Sequence, residues 1–129
     1  LINTAIEEIL RFQPPIQINN RRSTKETILG KTTIPQGTSV HMIIPGGNRD
    51  PKLFKDPDIF KVSRKPNRHL SFGLGIHICA GNSLARIEGK IAFSKLISKF
   101  KDINLISTPK VANRIRFREI QELQLEFIR

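Results

Sequence analysis

The spacing of apolar and polar positions changes several times along the chain. Residues 4–12, TAIEEILRF, put Ile6, Ile9 and Leu10 on one stripe and predict a helix. Thr4 and Glu7 stand at capping-box spacing, and Pro14–Pro15 ends the pattern. Residues 16–22 alternate Ile16 and Ile18 with polar neighbours, which predicts an extended segment. Turns are expected at Gly30–Lys31 and Gln36–Gly37. Residues 38–44, TSVHMII, are β-branched and apolar, so a buried strand is expected there. The segment 16–44 then forms a small antiparallel sheet, in which His41 reads as a packed or edge histidine.

Residues 45–68 carry no clear period. Asp50–Pro51 and Asp56–Pro57 each offer an N-cap followed by a proline at the first helical position, which predicts two very short helices or turns. So long an irregular stretch usually carries function or wraps a ligand. Residues 80–100 give the strongest helix: Leu84, Ile87 and Ile91 follow the helical period, and Ala85, Ala92, Leu96 and Phe100 extend the apolar face. Ile103–Ile106 reads as a short strand and 114–118 as basic and extended. In 122–128, Leu123, Leu125 and Phe127 alternate with Glu122, Gln124 and Glu126. The fold class is α+β.

Composition narrows the picture. A chain of 129 residues builds one modest domain. No apolar run reaches the length of a membrane span, so no membrane partner is expected. One cysteine forms no internal disulfide, and a reducing, cytoplasmic setting follows as the expectation. The first residue is Leu1 and the single methionine is Met42, so the chain reads as a segment of something longer. The net charge of +11 raises nucleic acid as a partner. The 22 lysines and arginines are dispersed, however, and Tyr and Trp are absent, so no stacking surface is interleaved with them. An acidic protein partner suits that charge better.

The candidate chemistry gathers in residues 69–86, HLSFGLGIHICAGNSLAR. Cys79 lies between a glycine-punctuated loop and a helix start, where free N–H groups favour negative charge and so suit a thiolate. Alternatives remain open on the residues alone. A lone cysteine is most often a small buried hydrophobe. Zinc needs about four ligands, and only His69, His77 and Cys79 are close in sequence. Gly73 and Gly75 begin a dinucleotide pattern whose third glycine is replaced by Ile78. A phosphate loop would need Lys after Gly81, where Asn82 stands. His77 could serve a cysteine nucleophile as base, but no orienting partner is evident.

The segment resembles the cysteine-ligand loop of the cytochrome P450 family, F-G-x-G-x-H-x-C-x-G followed by x-x-L-A-R. Phe72, Gly73, Gly75, His77, Cys79, Gly81, Leu84, Ala85 and Arg86 all match. Glu8 and Arg11 match the family's E-x-x-R helix, Phe60 and Arg64 its F-x-x-x-R, and Asn48–Arg49–Asp50–Pro51 its N-R-D-P. Read alone, Glu8 and Arg11 suggest a surface ion pair; the resemblance implies instead a buried network of Glu8, Arg11 and Arg64. It implies the C-terminal part of the mainly helical P450 fold, with small antiparallel sheets and the cysteine loop followed by a long helix. Residues 1–129 would then be one segment of a single haem-binding monooxygenase domain, with the oxygen-binding helix lying before Leu1.

The same resemblance implies haem b as cofactor. Cys79 would be the axial ligand to iron, and Arg21, His69 and His77 the partners of the propionates. Gly73 and Gly75 would let the backbone pass close to the macrocycle, Gly81 would admit the following helix, and Phe72 would shield the sulfur. Ile16, Gln17, Ile18, Asn19 and Phe117 fall where relatives line the substrate side. Implied partners are a small organic substrate, O2, and a ferredoxin- or flavodoxin-type electron donor that docks on basic residues such as Arg68, Arg86 and Lys90. Gly89, Arg118–Glu119 and Gln124 depart from the usual pattern.

Overall fold

The computed structural model describes residues 1–129. Helix α1 spans Ile2–Phe12, two residues longer at its start than the apolar stripe indicates. The capping box does not form: the Thr4 hydroxyl donates to the Leu1 carbonyl at 2.9 Å, and Glu7 is engaged elsewhere. The two-proline stop holds, and Pro14 is itself buried.

The segment 18–43 folds as one long hairpin made of two separate ladders rather than one sheet. Strand β1 (Ile18–Arg22) pairs antiparallel with β4 (Ser39–Ile43), and β2 (Thr27–Leu29) with β3 (Thr32–Ile34). Gly30 and Gly37 turn the chain at φ +61° and +80°, a region that favours glycine. β4 is not the buried strand its sequence suggests. Its residues alternate between half-buried and exposed, as in a two-stranded ribbon with one open face. His41 sits at that ribbon's edge, 2.9 Å from the Asn20 side chain. Ile44 is the buried residue, and it opens a short helical turn, α2 (Ile44–Gly47).

Residues 50–68 run as turns without regular helix. Asp50 accepts the Lys52 amide at 2.9 Å on its side chain, the capping contact expected of it. Residues Gly75–His77 make a single 3-10 turn ahead of Cys79. Helix α3 follows over Asn82–Lys99. It meets α1 through Arg86, which binds Glu7, and at Gly89, where a Cβ would lie 3.5 Å from the Ile6 side chain. The apolar stripe anticipated on α3 does not face inward: Leu84, Ile87 and Ile91 are all exposed. The C-terminal strands are β5 (Asp102–Leu105) with β8 (Leu125–Ile128), and β6 (Lys110–Val111) with β7 (Ile120–Glu122). The expected run 122–128 is thus broken at Leu123–Gln124, where the chain passes from one ladder to the next. No helix is long and apolar enough to cross a membrane.

Only eight residues are buried, and four of them are Glu8, Arg11, Asn48 and Arg64. The centre of the chain is therefore a polar network. Burying such groups is tolerable only when each is fully paired.

Candidate functional site

The pairing is nearly complete. Arg11 reaches the Glu8 carboxylate with Nε and Nη2, each at 2.8 Å, and donates from Nη1 to the carbonyls of Asn48 and Pro57. Arg64 places Nε 3.1 Å from both Glu8 oxygens, and its Nη2 donates to the carbonyls of Asp56 and Ile59. The Lys61 amide and the Asn67 side chain also donate to Glu8. Burial alone would raise the Glu8 carboxyl. The donors from Arg11, Lys61 and Arg64 outweigh it and hold the group at about 2. The E-x-x-R spacing puts Glu8 and Arg11 one turn apart, and the turns of 55–67 wrap around them. The surface-pair reading of Glu8 and Arg11 is overturned.

Asn48 carries this network into the cysteine loop. Its amide donates to the Arg11 carbonyl and to the Ser71 hydroxyl, while its Oδ1 accepts the Leu70 amide at 2.7 Å. Ser71 in turn donates to the Leu10 carbonyl. The sequence matched Asn48 to a motif without a role. Its buried amide, satisfied from three directions, is the missing information.

Beyond Ser71 the loop closes on itself. The Cys79 amide donates to the Phe72 carbonyl at 2.8 Å, and Ile78 to Gly75 at 3.1 Å. Gly73 adopts φ +74°, and a Cβ there would sit 3.2 Å from the His77 carbonyl. Gly75 adopts φ +67°. Cys79 is exposed, and a Cβ on Gly81 would lie 3.9 Å from its sulfur. After Cys79 in the sequence, the amides of Ala80, Gly81, Ser83 and Leu84 have no acceptor in the protein.

A cavity of about 280 Å³ brings Cys79, His77, Phe72 and Gly73 together with Ile16 and Asn19. Gln17, Ile18 and Phe117 line a separate cavity of about 300 Å³ with Arg114 and Arg118. The five residues expected on the substrate side are therefore split, Ile16 and Asn19 in one cavity and Gln17, Ile18 and Phe117 in the other. Arg21 lines neither cavity. It is exposed and donates to the Asn20 carbonyl, two residues beyond Asn19 along β1.

His69 departs from its expected role at the propionates. Its ring is almost wholly buried, with Nε2 3.1 Å from Glu7 and Nδ1 accepting the Ser71 amide at 3.2 Å. Both nitrogens are used, so neither is free for an outside anion. Burial lowers its basicity more than Glu7 raises it. Glu7 also takes a two-point contact from Arg86, at 2.6 and 3.0 Å. Burial would raise the Glu7 carboxyl, but Arg86 and then His69 bring it below its usual range. Arg86, expected on the docking face, is thus tied to Glu7 while its side chain stays 38% exposed, and Glu7 does not serve as the expected cap.

The exposed thiol of Cys79 stands ahead of a long helix, and its loop is tied through Asn48 and Ser71 to the buried Glu8–Arg11–Arg64 network. The sequence matches the cytochrome P450 family over residues 1–114, and the chain belongs to that family. It is 40% identical over 128 residues to a biotin biosynthesis cytochrome P450 of Bacillus subtilis, covering 98% of this chain and 32% of that protein. It is 37% identical over 125 residues to the beta-dihydromenaquinone-9 omega-hydroxylase of Mycobacterium tuberculosis, covering 97% and 26%. Among solved structures, it superposes on a P450 in complex with an acyl carrier protein bearing hexadec-9Z-enoic acid. The TM-score is 0.94 at 40% identity, covering 98% of this chain and 33% of the other. The chain spans about a quarter to a third of the length of these relatives.

The family carries haem, and the residues present suit that group. Nowhere do three or more His, Cys, Asp or Glu side chains gather, so a bare metal ion has no donor set here. A single soft thiol fits a metal that brings its other ligands with it. The cavity beside it is mostly apolar, as a flat macrocycle requires.

Proposed function

We propose that this chain forms the cysteine-bearing side of a haem-thiolate monooxygenase that hydroxylates a small organic substrate with O2 and two electrons. One observation carries the reading: the single exposed Cys79 lines a mostly apolar cavity, and four of the five amides that follow it in sequence have no acceptor in the protein. Haem b, when bound, would supply oxygen activation and electron storage. The chain's own residues would do the rest. Cys79 would give its thiolate to iron, and the free amides after it would hydrogen-bond the sulfur and moderate its basicity. Phe72 would keep water from the sulfur. His77, on the rim of the same cavity, and Arg21, on the strand face continuing from Asn19, would balance the negative propionates. Ile16 and Asn19 would meet substrate near the cavity, with Gln17, Ile18 and Phe117 further out.

Electrons would come from an acidic ferredoxin- or flavodoxin-type donor on the basic surface that includes Arg68 and Lys90. No nucleic-acid or membrane partner enters the reading, and a cytoplasmic setting suits the single reduced thiol. The exposed apolar side of α3, with Leu84, Ile87 and Ile91, favours a second reading for the 129 residues alone: they take up haem but do not turn over substrate.

Haem titration of the chain tests the main reading, with Cys79→Ala as the comparison. Saturable one-to-one uptake that weakens at least tenfold in the variant supports it. Equal uptake by both would remove Cys79 from the site. Peroxide-driven hydroxylation by the chain alone would overturn the second reading.

A further inference from the structure

A second polar cluster lies behind the cysteine loop, and none of its members is needed for the Glu8 network. Glu7 holds two arms, Arg86 by a two-point contact and His69 through Nε2. The arms meet again on Phe72: the Arg86 guanidinium lies 4.7 Å over its ring, and the His69 ring is tilted against it at 6.0 Å. Arg86 also donates from Nη1 to Asn82 Oδ1 at 2.8 Å, which turns the Asn82 amide so that Nδ2 donates to the Cys79 carbonyl at 2.6 Å. The Phe72 carbonyl accepts the Cys79 amide. The Cys79 carbonyl is thus held by the Asn82 side chain together with Asn82's own amide at 3.2 Å, and the Cys79 amide by the backbone of Phe72, the residue whose ring both Glu7 arms touch.

We infer that Glu7 is a positioning residue for Cys79, acting through Arg86 on Asn82 and through Arg86 and His69 on Phe72. The inference rests on the haem-thiolate reading for what it does to the metal, but its geometry stands in the protein alone. A donor on the Cys79 carbonyl draws electron density from the cysteine. Releasing it returns density to the sulfur, favours ferric iron and lowers the reduction potential.

The test uses Glu7→Gln, which keeps the shape and removes the charge, with Asn82→Ala and the double variant. In the haem-loaded chain, Glu7→Gln and Asn82→Ala each lower the potential, and the double variant falls short of the sum of the two shifts, because part of the Glu7 effect runs through Asn82. Additive shifts, or a lower melting temperature at unchanged potential, would make Glu7 a merely structural residue and overturn the inference. In the chain without haem, Glu7→Gln speeds hydrogen exchange at the Cys79 amide about tenfold while exchange in α1 is unchanged. Unaltered Cys79 exchange also overturns the inference. A wild-type chain that takes up no haem is a different failure. It sinks the haem reading and leaves the exchange measurement to decide the role of Glu7.

Discussion

Replacing Glu8 by Gln removes the one anion from a buried cluster that keeps two guanidiniums. In the wild-type protein Arg11 and Arg64 both point at that carboxylate, and Glu8 and Arg11 are shut off from water entirely. The folded carboxyl is held at about 2 against a usual 4.5, which corresponds to about 3 kcal/mol of stability linked to its charge. Breaking a buried pair from one side costs about 3–5 kcal/mol, since the remaining charge has no partner. The two routes agree, so Glu8→Gln loses about 3–4 kcal/mol at neutral pH, read as a shift in the urea unfolding curve. Because the folded carboxyl is depressed, its contribution is complete above about 4.5 and is lost as pH falls toward about 2. Wild type therefore loses stability over that window, and the variant loses much less. A Glu8→Gln protein within about 1 kcal/mol of wild type, the range of an exposed pair, would refute the buried-network reasoning.

Other substitutions probe the parts around it. Asn48→Ala strands the Leu70 amide and the Arg11 carbonyl in a buried place and lowers stability by about 3 kcal/mol in the same assay. Gly73→Ala forces a side chain into φ +74° and against the His77 carbonyl. It costs about 1–2 kcal/mol and loosens the cysteine loop, seen as faster exchange at the Cys79 amide. Gly89→Ala has room, since its Cβ meets Ile6 at ordinary contact distance, and it stabilises α3 by about 0.5–1 kcal/mol in thermal unfolding.

What could be seen in the sequence divides along physical lines. Local patterns carried α1, α3, the glycine turns and the terminal strands, because period and turn chemistry act over a few residues. The Glu8–Arg11–Arg64 network emerged from motif spacing, although residue chemistry alone favours a surface pair for Glu8 and Arg11. Distant contacts outside the matched motifs were invisible. Glu7 and Arg86 lie 79 positions apart, and each has an adequate local explanation, one as a cap residue and the other as a surface charge. His69 fits a propionate partner until the fold buries it against Glu7. The outward face of α3 misled for a related reason. Apolar period shows that a stripe will be covered, but not that this segment covers it, and here α1 meets the face of Arg86 and Gly89 instead.

The most direct test of the account is spectroscopic. The chain is loaded with haem, reduced and exposed to carbon monoxide, and its Soret band is compared with that of Cys79→His. Thiolate ligation predicts a strongly red-shifted band in the wild type that is absent in the variant. A band at the position typical of imidazole-ligated haem in both would contradict the assignment of Cys79 as the ligand.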